Sequence, residues 1–551
     1  MSTPSLSADW TAFVTGFLDR TFTAQPHFAV YQGRHEFDGQ LPDWTAVGLD
    51  AEVRRLHRER ARVTGFDPAS LDDDQRFERE YLLAVIDGEL FWREVMESPC
   101  HNPEFYSAGL DPNVYVTRPY ASLEQRMRAF IAYAGGVPAA AEAIRRNLRT
   151  PMPRTYIDLA RTSFGGLASY LEAEVPAVFA PVQSEALHAQ FAAANDAAVA
   201  ALTALDTWFG TLEASATGEF AMGEDRFRQM LWATERVDLD LDTLEAIGRR
   251  DLERNLDALR TACARYAPAE PIAVCVRRVQ SIKPEGGPVA AARSQLEELK
   301  SFVVDADLVS IPRAEEAQVE ESPPYMRWNA AFITIPGPFE SGLPSTYYIA
   351  PPDPSWSLED QAAYTPARSD LLFVSAHEVW PGHFLQFLHA HQAPSDCRRV
   401  FATYAFSEGW AHYVEEMVVE AGLGAGDAET HIGQLLNALL RNVRYLSAIG
   451  LHTGRMTVAE SERMFREQAF QDPGNARQQA ARGTFDPAYL NYTMGKLMIR
   501  KLREDWTASR GGRRAWREFH DRFLSYGSPP IPLVRAAMLG GNAPELFPVT
   551  R

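Results

Sequence analysis

The stretch HEVWPGH, residues 377–383, gathers two imidazoles and a carboxylate. It begins as the zinc signature His-Glu-x-x-His does, but Pro381 stands where the second histidine belongs and His383 follows it by two residues. Histidines four apart on a regular helix lie about 40° apart around the axis and can share one metal. His377 and His383 would instead be turned about 240° from each other and separated by about 9 Å along a regular helix. Pro381 supplies a reason for irregularity, since it lacks the N–H that would bond to the carbonyl of His377 and its ring crowds that carbonyl. Gly382 can take backbone angles closed to other residues. An interruption at Pro-Gly would swing His383 back beside His377, as helix irregularities at functional sites often do.

A catalytic zinc site needs three protein ligands and one open position. Glu408 in FSEGWAHY offers the third, far enough along the chain for a turn at HQAPSD and a returning antiparallel helix. Its carboxylate would balance charge that two neutral imidazoles leave on Zn²⁺. Glu378, next to the first ligand, would be the general base that takes a proton from the attacking water. Taken singly, a His-Glu dipeptide arises by chance and Glu408 reads as a solvated helix residue. Together, with Pro-Gly between the histidines, they point to zinc.

The elements that must position these residues are mainly α-helical. Through about residue 300 apolar positions recur at three and four, as in LEQRMRAFIAYAGGVPAAAEAIRRNL and LDTLEAIGRRDLERNLDALRTACARYA. Between about 305 and 352 the runs DLVSIP, AAFITIP and STYYIAPP predict a small antiparallel sheet just before the motif helix. Helices then resume through SDLLFVSAHEVWPGHFLQFLHA and the segment carrying Glu408, which stops at AGLG. The expected organisation is a helical half, 1–300, and a site-bearing half, 301–551, either as two lobes or as one continuous body.

The 551 residues are 46% hydrophobic and 23% charged, the balance of a folded chain. A formal net charge of −19 argues against nucleic acid or an anionic membrane as partner and favours a peptide or small-molecule substrate. Cys100, Cys263, Cys275 and Cys397 form no Cys-x-x-Cys pair, so neither a disulfide framework nor a thiolate zinc site is expected. With no signal-like start and no membrane-length apolar run, the reading is cytoplasmic. Oligomeric state is left open.

HEVWPGHFLQ together with EGWAHY resembles the His-Glu-x-x-Pro-Gly-His-x-x-Gln and Glu-Gly-Trp pair of the bacterial family called domain of unknown function 885. RNVRYLSAIGLHTGRMT, YLNYTMGKLMIRKLRE and EFHDRFLSYGSPPIPLV resemble later segments of that family, so the match is clear over about 320–540. The resemblance implies a helical fold similar to Taq-type thermostable carboxypeptidases, with a metal in a long cleft. It carries zinc ligation over to His377, His383 and Glu408 and the base to Glu378. Trp380 and His412 depart from the family pattern and would reshape a substrate pocket.

Around this centre stand further candidates, each with a plainer alternative. Gln386 would orient a ligand imidazole, or is a surface amide. His412, four after Glu408, would donate to substrate or to that carboxylate, or is a partly buried histidine with a local partner. Tyr492 would steady a developing oxyanion, or is a core tyrosine. Arg441, Arg444 and His452 share one segment, where an arginine would bind a substrate carboxylate unless these are helix-surface ion pairs. The strand at STYYIAPP, with Tyr348, offers an edge to an extended peptide, or is scaffolding; Trp328, Tyr347 and Tyr348 would line the cleft, or simply pack.

The expected function is a zinc hydrolase of an amide or peptide bond, carboxypeptidase- or dipeptidase-like. One alternative keeps zinc but turns it to a non-peptide small molecule, motivated by Trp380 and His412. A further alternative is a metal-free helical binding protein.

Overall fold

The computed structural model of the chain describes residues 6–323, 327, 330–352, 354–540 and 545–548, and most of them are helical. They divide into two compact units, Met1–Phe220 with Pro336–Leu343, and Ala221–Ile335 with Pro344–Arg551. The expected boundary near 300 is replaced by one at Phe220. The reason lies in buried polar ties, described below, that fasten residues 235–255 to the helices of the candidate site.

In the first unit α1 (Leu123–Asn147) starts on a Ser122/Gln125 capping box and α2 (Glu185–Leu212) on the Ser184 hydroxyl. Their shared core includes Phe130 against Phe191, ring centroids 5.5 Å apart. The excursion 336–343 is fastened here by buried Glu340, which accepts from Arg118 at 2.7 Å and from the Gly337 N–H at 2.7 Å.

The second unit contains α3 (Glu224–Glu235), α4 (Leu241–Tyr266), α5 (Ile272–Gln280) and α6 (Pro288–Asp305). A three-stranded sheet follows: β1 (Ala317–Glu321), β2 (Ala331–Thr334) and β3 (Ser345–Ile349). It is mixed rather than antiparallel, because β3 lies in the centre, parallel to β1 and antiparallel to β2. Both sides of β3 are therefore paired, and STYYIAPP offers no edge to a peptide. Tyr347 is fully buried and Tyr348 half-buried, as the twofold alternation of a strand requires. Tyr348 packs instead on Phe332, 5.3 Å between centroids. Trp328 lies outside the described residues.

The remaining elements build the site: α7 (Arg368–Glu378), α8 (His383–Ala390), α9 (Tyr404–Glu420), α10 (Ala428–His452) and α11 (Asn491–Thr507). From Gly409 to Val418 every residue of α9 is buried, as is nearly all of α10 after Ile432, so both helices lie in the middle of the unit, and the polar groups they carry there need partners. α9 and α11 cross at Gly409 and Gly495. A Cβ on Gly409 would sit 2.5 Å from the Gly495 Cα, and one on Gly495 would strike the carbonyl of Ala405.

α4 joins this core through polar groups. Asn255 donates to Asn442 at 2.7 Å, Asn442 to Asp251 at 2.8 Å, and Lys496, wholly buried, to Asp251 at 2.7 Å. Arg254 makes two 2.9 Å bonds to Glu416.

The expectation of no disulfide is corrected: Cys263 and Cys275 are bridged, while Cys100 and Cys397 are free. The break at YAPAEP turns the chain from α4 into α5 and brings the two thiols together. Among the described residues no helix is long and apolar enough to cross a membrane.

Candidate metal centre

The motif helix is interrupted where Pro-Gly predicts. α7 ends at Glu378, residues 379–382 form a non-helical turn, and α8 begins at His383. Gly382 packs so tightly on the end of α7 that a Cβ there would collide with the carbonyl of His377. The turn is clamped from outside by Trp410, whose indole N–H donates to the Pro381 carbonyl at 2.9 Å. With the helical register broken, the His377 and His383 rings stand perpendicular with centroids 4.9 Å apart.

α9 brings Glu408 to both. Its Oε2 lies 3.3 Å from His377 Nε2 and 3.5 Å from His383 Nε2. Neither approach has hydrogen-bond geometry, so this buried oxygen has no hydrogen-bond partner. Ligand atoms of His377, His383 and Glu408 all fall within 4.8 Å of one another, the sole such His/Cys/Asp/Glu group among the described residues. Burial opposes a charged carboxylate, yet the neighbouring His383 and His377 hold Glu408 well below the usual range.

The outer nitrogen of His377 is held too. Nδ1 lies 2.7 Å from Oε1 of Glu415, which is fully buried. Glu415 also receives Nδ1 of His412 at 3.2 Å and lies 3.3 Å from an Arg441 nitrogen. Against its burial, Arg441, His412 and His377 keep it ionised, with its pKa depressed. A carboxylate on Nδ1 fixes the tautomer whose Nε2 lone pair faces the cluster. Despite burial, Glu408 and Glu415 push His377 up to about 9. A cation bound there would therefore compete with a proton for the same nitrogen.

Two imidazole nitrogens and one carboxylate oxygen, close together and unspent on hydrogen bonds, fit a divalent metal of the zinc class. Glu378 closes α7 beside them, and burial raises its pKa against the lowering pull of His377 and His383. Tyr492, on α11, stacks on His377 with ring centroids 6.3 Å apart. Burial and then Glu408 raise its pKa, so the phenol keeps its proton.

The other expected residues scatter. Gln386 is buried and donates to Ser528 at 2.8 Å, tying α8 to the chain's closing segment rather than touching an imidazole. His412 is wholly buried behind Glu408, and burial lowers its pKa to about 4, so it is a neutral donor to Glu415 rather than to substrate. His452 bonds the Gly483 carbonyl at 2.8 Å in the core; eleven residues beyond Arg441 on α10, it is about 16 Å further along the axis. Arg441 and Arg444 do reach the site, their guanidinium carbons 6.0 and 5.1 Å from the Tyr492 ring centroid. Trp380 is also buried, with Phe384 and Lys300 against its ring.

Glu415, Trp410 and the Gly409–Gly495 crossing were not singled out from sequence. Glu415 carried one usable signal: seven residues after Glu408 it returns to the same helix face, offset by only about 20°.

Solved structures share this fold, among them two described as putative lipoproteins. A Shewanella oneidensis protein described as a putative lipoprotein of unknown function matches with TM-score 0.80 and 23% identity, over 96% of this chain and 99% of its own. One from Colwellia psychrerythraea, described as a putative lipoprotein, matches with TM-score 0.80 and 16% identity, over 97% and 99%. No curated protein matches. The family model described as bacterial protein of unknown function (DUF885) matches residues 26–538, nearly the whole chain including every residue of the centre, and the protein belongs to that family.

Proposed function

We propose that this protein is a zinc-dependent hydrolase of amide or peptide bonds, with a carboxypeptidase- or dipeptidase-like action related to that of the Taq-type carboxypeptidases. The observation that carries it is the convergence of His377, His383 and Glu408 beside the buried acid Glu378, with His377 oriented from behind by Glu415. Zinc bound by the three side chains would supply a Lewis acid that polarises a carbonyl and makes water a usable nucleophile near neutral pH.

The protein's own groups do the rest. Glu378, its pKa raised by burial, takes the proton of the attacking water and passes it to the leaving amine. Tyr492 donates its phenolic hydrogen to the oxygen on which charge develops. Glu415 keeps His377 facing inward. Support for the alternative, a non-peptide small-molecule substrate, rested on Trp380 and His412; both are buried and turned to structural tasks, so neither recommends it.

The test is elemental analysis followed by turnover of a peptide library. About one zinc per chain is expected, and Glu378→Gln should retain it while losing about 10²–10⁴ in rate. Failure to bind zinc after reconstitution, or an undiminished Glu378→Gln enzyme, would overturn the reading.

A further inference from the structure

Three arginines surround the Tyr492 side of the centre, and only two of them are matched by acids. Arg441 is paired with Glu415 at 3.3 Å, and Arg482 with Asp486 at 2.9 Å. Arg444 spends its Nε on the neutral Gln479 at 2.8 Å. Among the described residues it has no carboxylate partner, although it is only 8% exposed. Burial, then Arg482 and Arg441, lower its pKa. Beside it the Nε of Arg441 is buried without a hydrogen-bond partner. Keeping a guanidinium buried and uncompensated is costly, and arginine forks suit planar carboxylates.

The position of this surplus charge matters. The Tyr492 ring contacts both the Arg444 guanidinium and the His377 ring, so an anion held at Arg444 lies one side chain from the metal ligands. One unmatched positive charge calls for a monoanion, which fits a carboxylate better than a phosphate.

We infer that Arg444, supported by Arg441, binds the free α-carboxylate at the carboxyl end of a peptide and so makes the enzyme remove residues from that end. This rests on the hydrolase reading for its chemistry, but not for the binding itself. Arg482 and Tyr404, which bond each other at 3.0 Å, contribute no free charge, since Arg482 is paired with Asp486.

The experiment is calorimetric titration of the purified protein, metal-stripped and zinc-loaded, with benzoyl-glycyl-phenylalanine, its carboxyl-terminal amide, and an amide-ended peptide with a glutamate side chain. The free acid should bind at least tenfold more tightly than either amide in both metal states. Arg444→Gln should erase the difference, and Arg444→Lys should restore part of it. Equal binding of acid and amide by the unaltered protein, no binding of any, or an Arg444→Gln protein that keeps the preference would overturn the inference. So would equally tight binding of the glutamate peptide, which would assign the carboxylate to a side chain. A bound but uncleaved free acid would refute the hydrolase reading alone, whereas cleavage indifferent to the terminal carboxylate would refute this one alone.

Discussion

His377 has a carboxylate of one helix on either side of its ring: Glu408 faces Nε2 without bonding it, and Glu415 holds Nδ1. The outer contact does not depend on a metal, so its loss should appear as weaker ligation before it appears as misfolding. Glu415→Gln is expected to reduce zinc affinity about 10–100-fold, measured by competition with a chromophoric chelator; unchanged affinity would make Glu415 a purely structural anion. At this scale the sequence was legible where residue type and spacing carry chemistry. His377, Glu378, His383 and Glu408 follow from ligand chemistry plus the helix-breaking power of Pro381. Glu415 was hidden because it sits beside Glu416 in an acidic run, and acidic pairs on helices are usually solvated. His412 and His452 misled for the opposite reason: a histidine inside a buried helix keeps the same letter whether it faces a substrate or a backbone carbonyl.

At the scale of elements, the start of α9 is fixed by a remote acid. Glu235, ending α3, accepts from the Ala405 N–H at 3.0 Å and from Asn491 on α11 at 3.3 Å. Burial raises its pKa from 4.5 to about 8, against the lowering effect of the Ala405 N–H. Between these values the unfolded chain has released the proton that the folded protein retains, so stability falls as pH rises through the window and is greatest below it. Buried His412 and His452, lowered to about 4, act oppositely, adding stability as pH rises from 4 to 6.5. The diagnostic is therefore the difference from Glu235→Gln. From about pH 5 to about pH 9 the unaltered protein should lose thermal stability relative to the variant; parallel curves would show that Glu235 ionises normally. The helices themselves were readable from periodicity, and the interrupted motif helix from Pro-Gly. The order of the strands was not, because β1–β3–β2 pairing depends on contacts across the sequence. That hidden order decides that STYYIAPP is central.

For the second unit as a whole, an ion network buried where helices meet takes the place of apolar contacts. Lys496 reaches Asp251 on α4 and Glu416 on α9, and Arg254 and Arg500 close on the same Glu416. Removing one member leaves its partners charged and buried, so Lys496→Met should cost about 3–5 kcal/mol in denaturant unfolding. A loss under 1 kcal/mol would mean that water enters the network. This network explains why the compact units divide at Phe220: the amphipathic texture of α4 shows that a face is buried, but not against which partner. The Cys263–Cys275 bridge was unreadable for a related reason, since sequence separation does not reveal which helix ends the fold brings together.

One feature of α9 reaches further than its own length. Glu408, Trp410 and Glu415 respectively complete the His/Glu cluster, grip the bend after α7 and brace the first imidazole, all from a single rigid screw. Inserting one amino acid between positions 410 and 415 would rotate everything downstream by about 100° and uncouple the brace from the imidazole it serves. The loop after Glu420 carries no such phase, and there the chain is free to lengthen or shorten while the centre stays tuned.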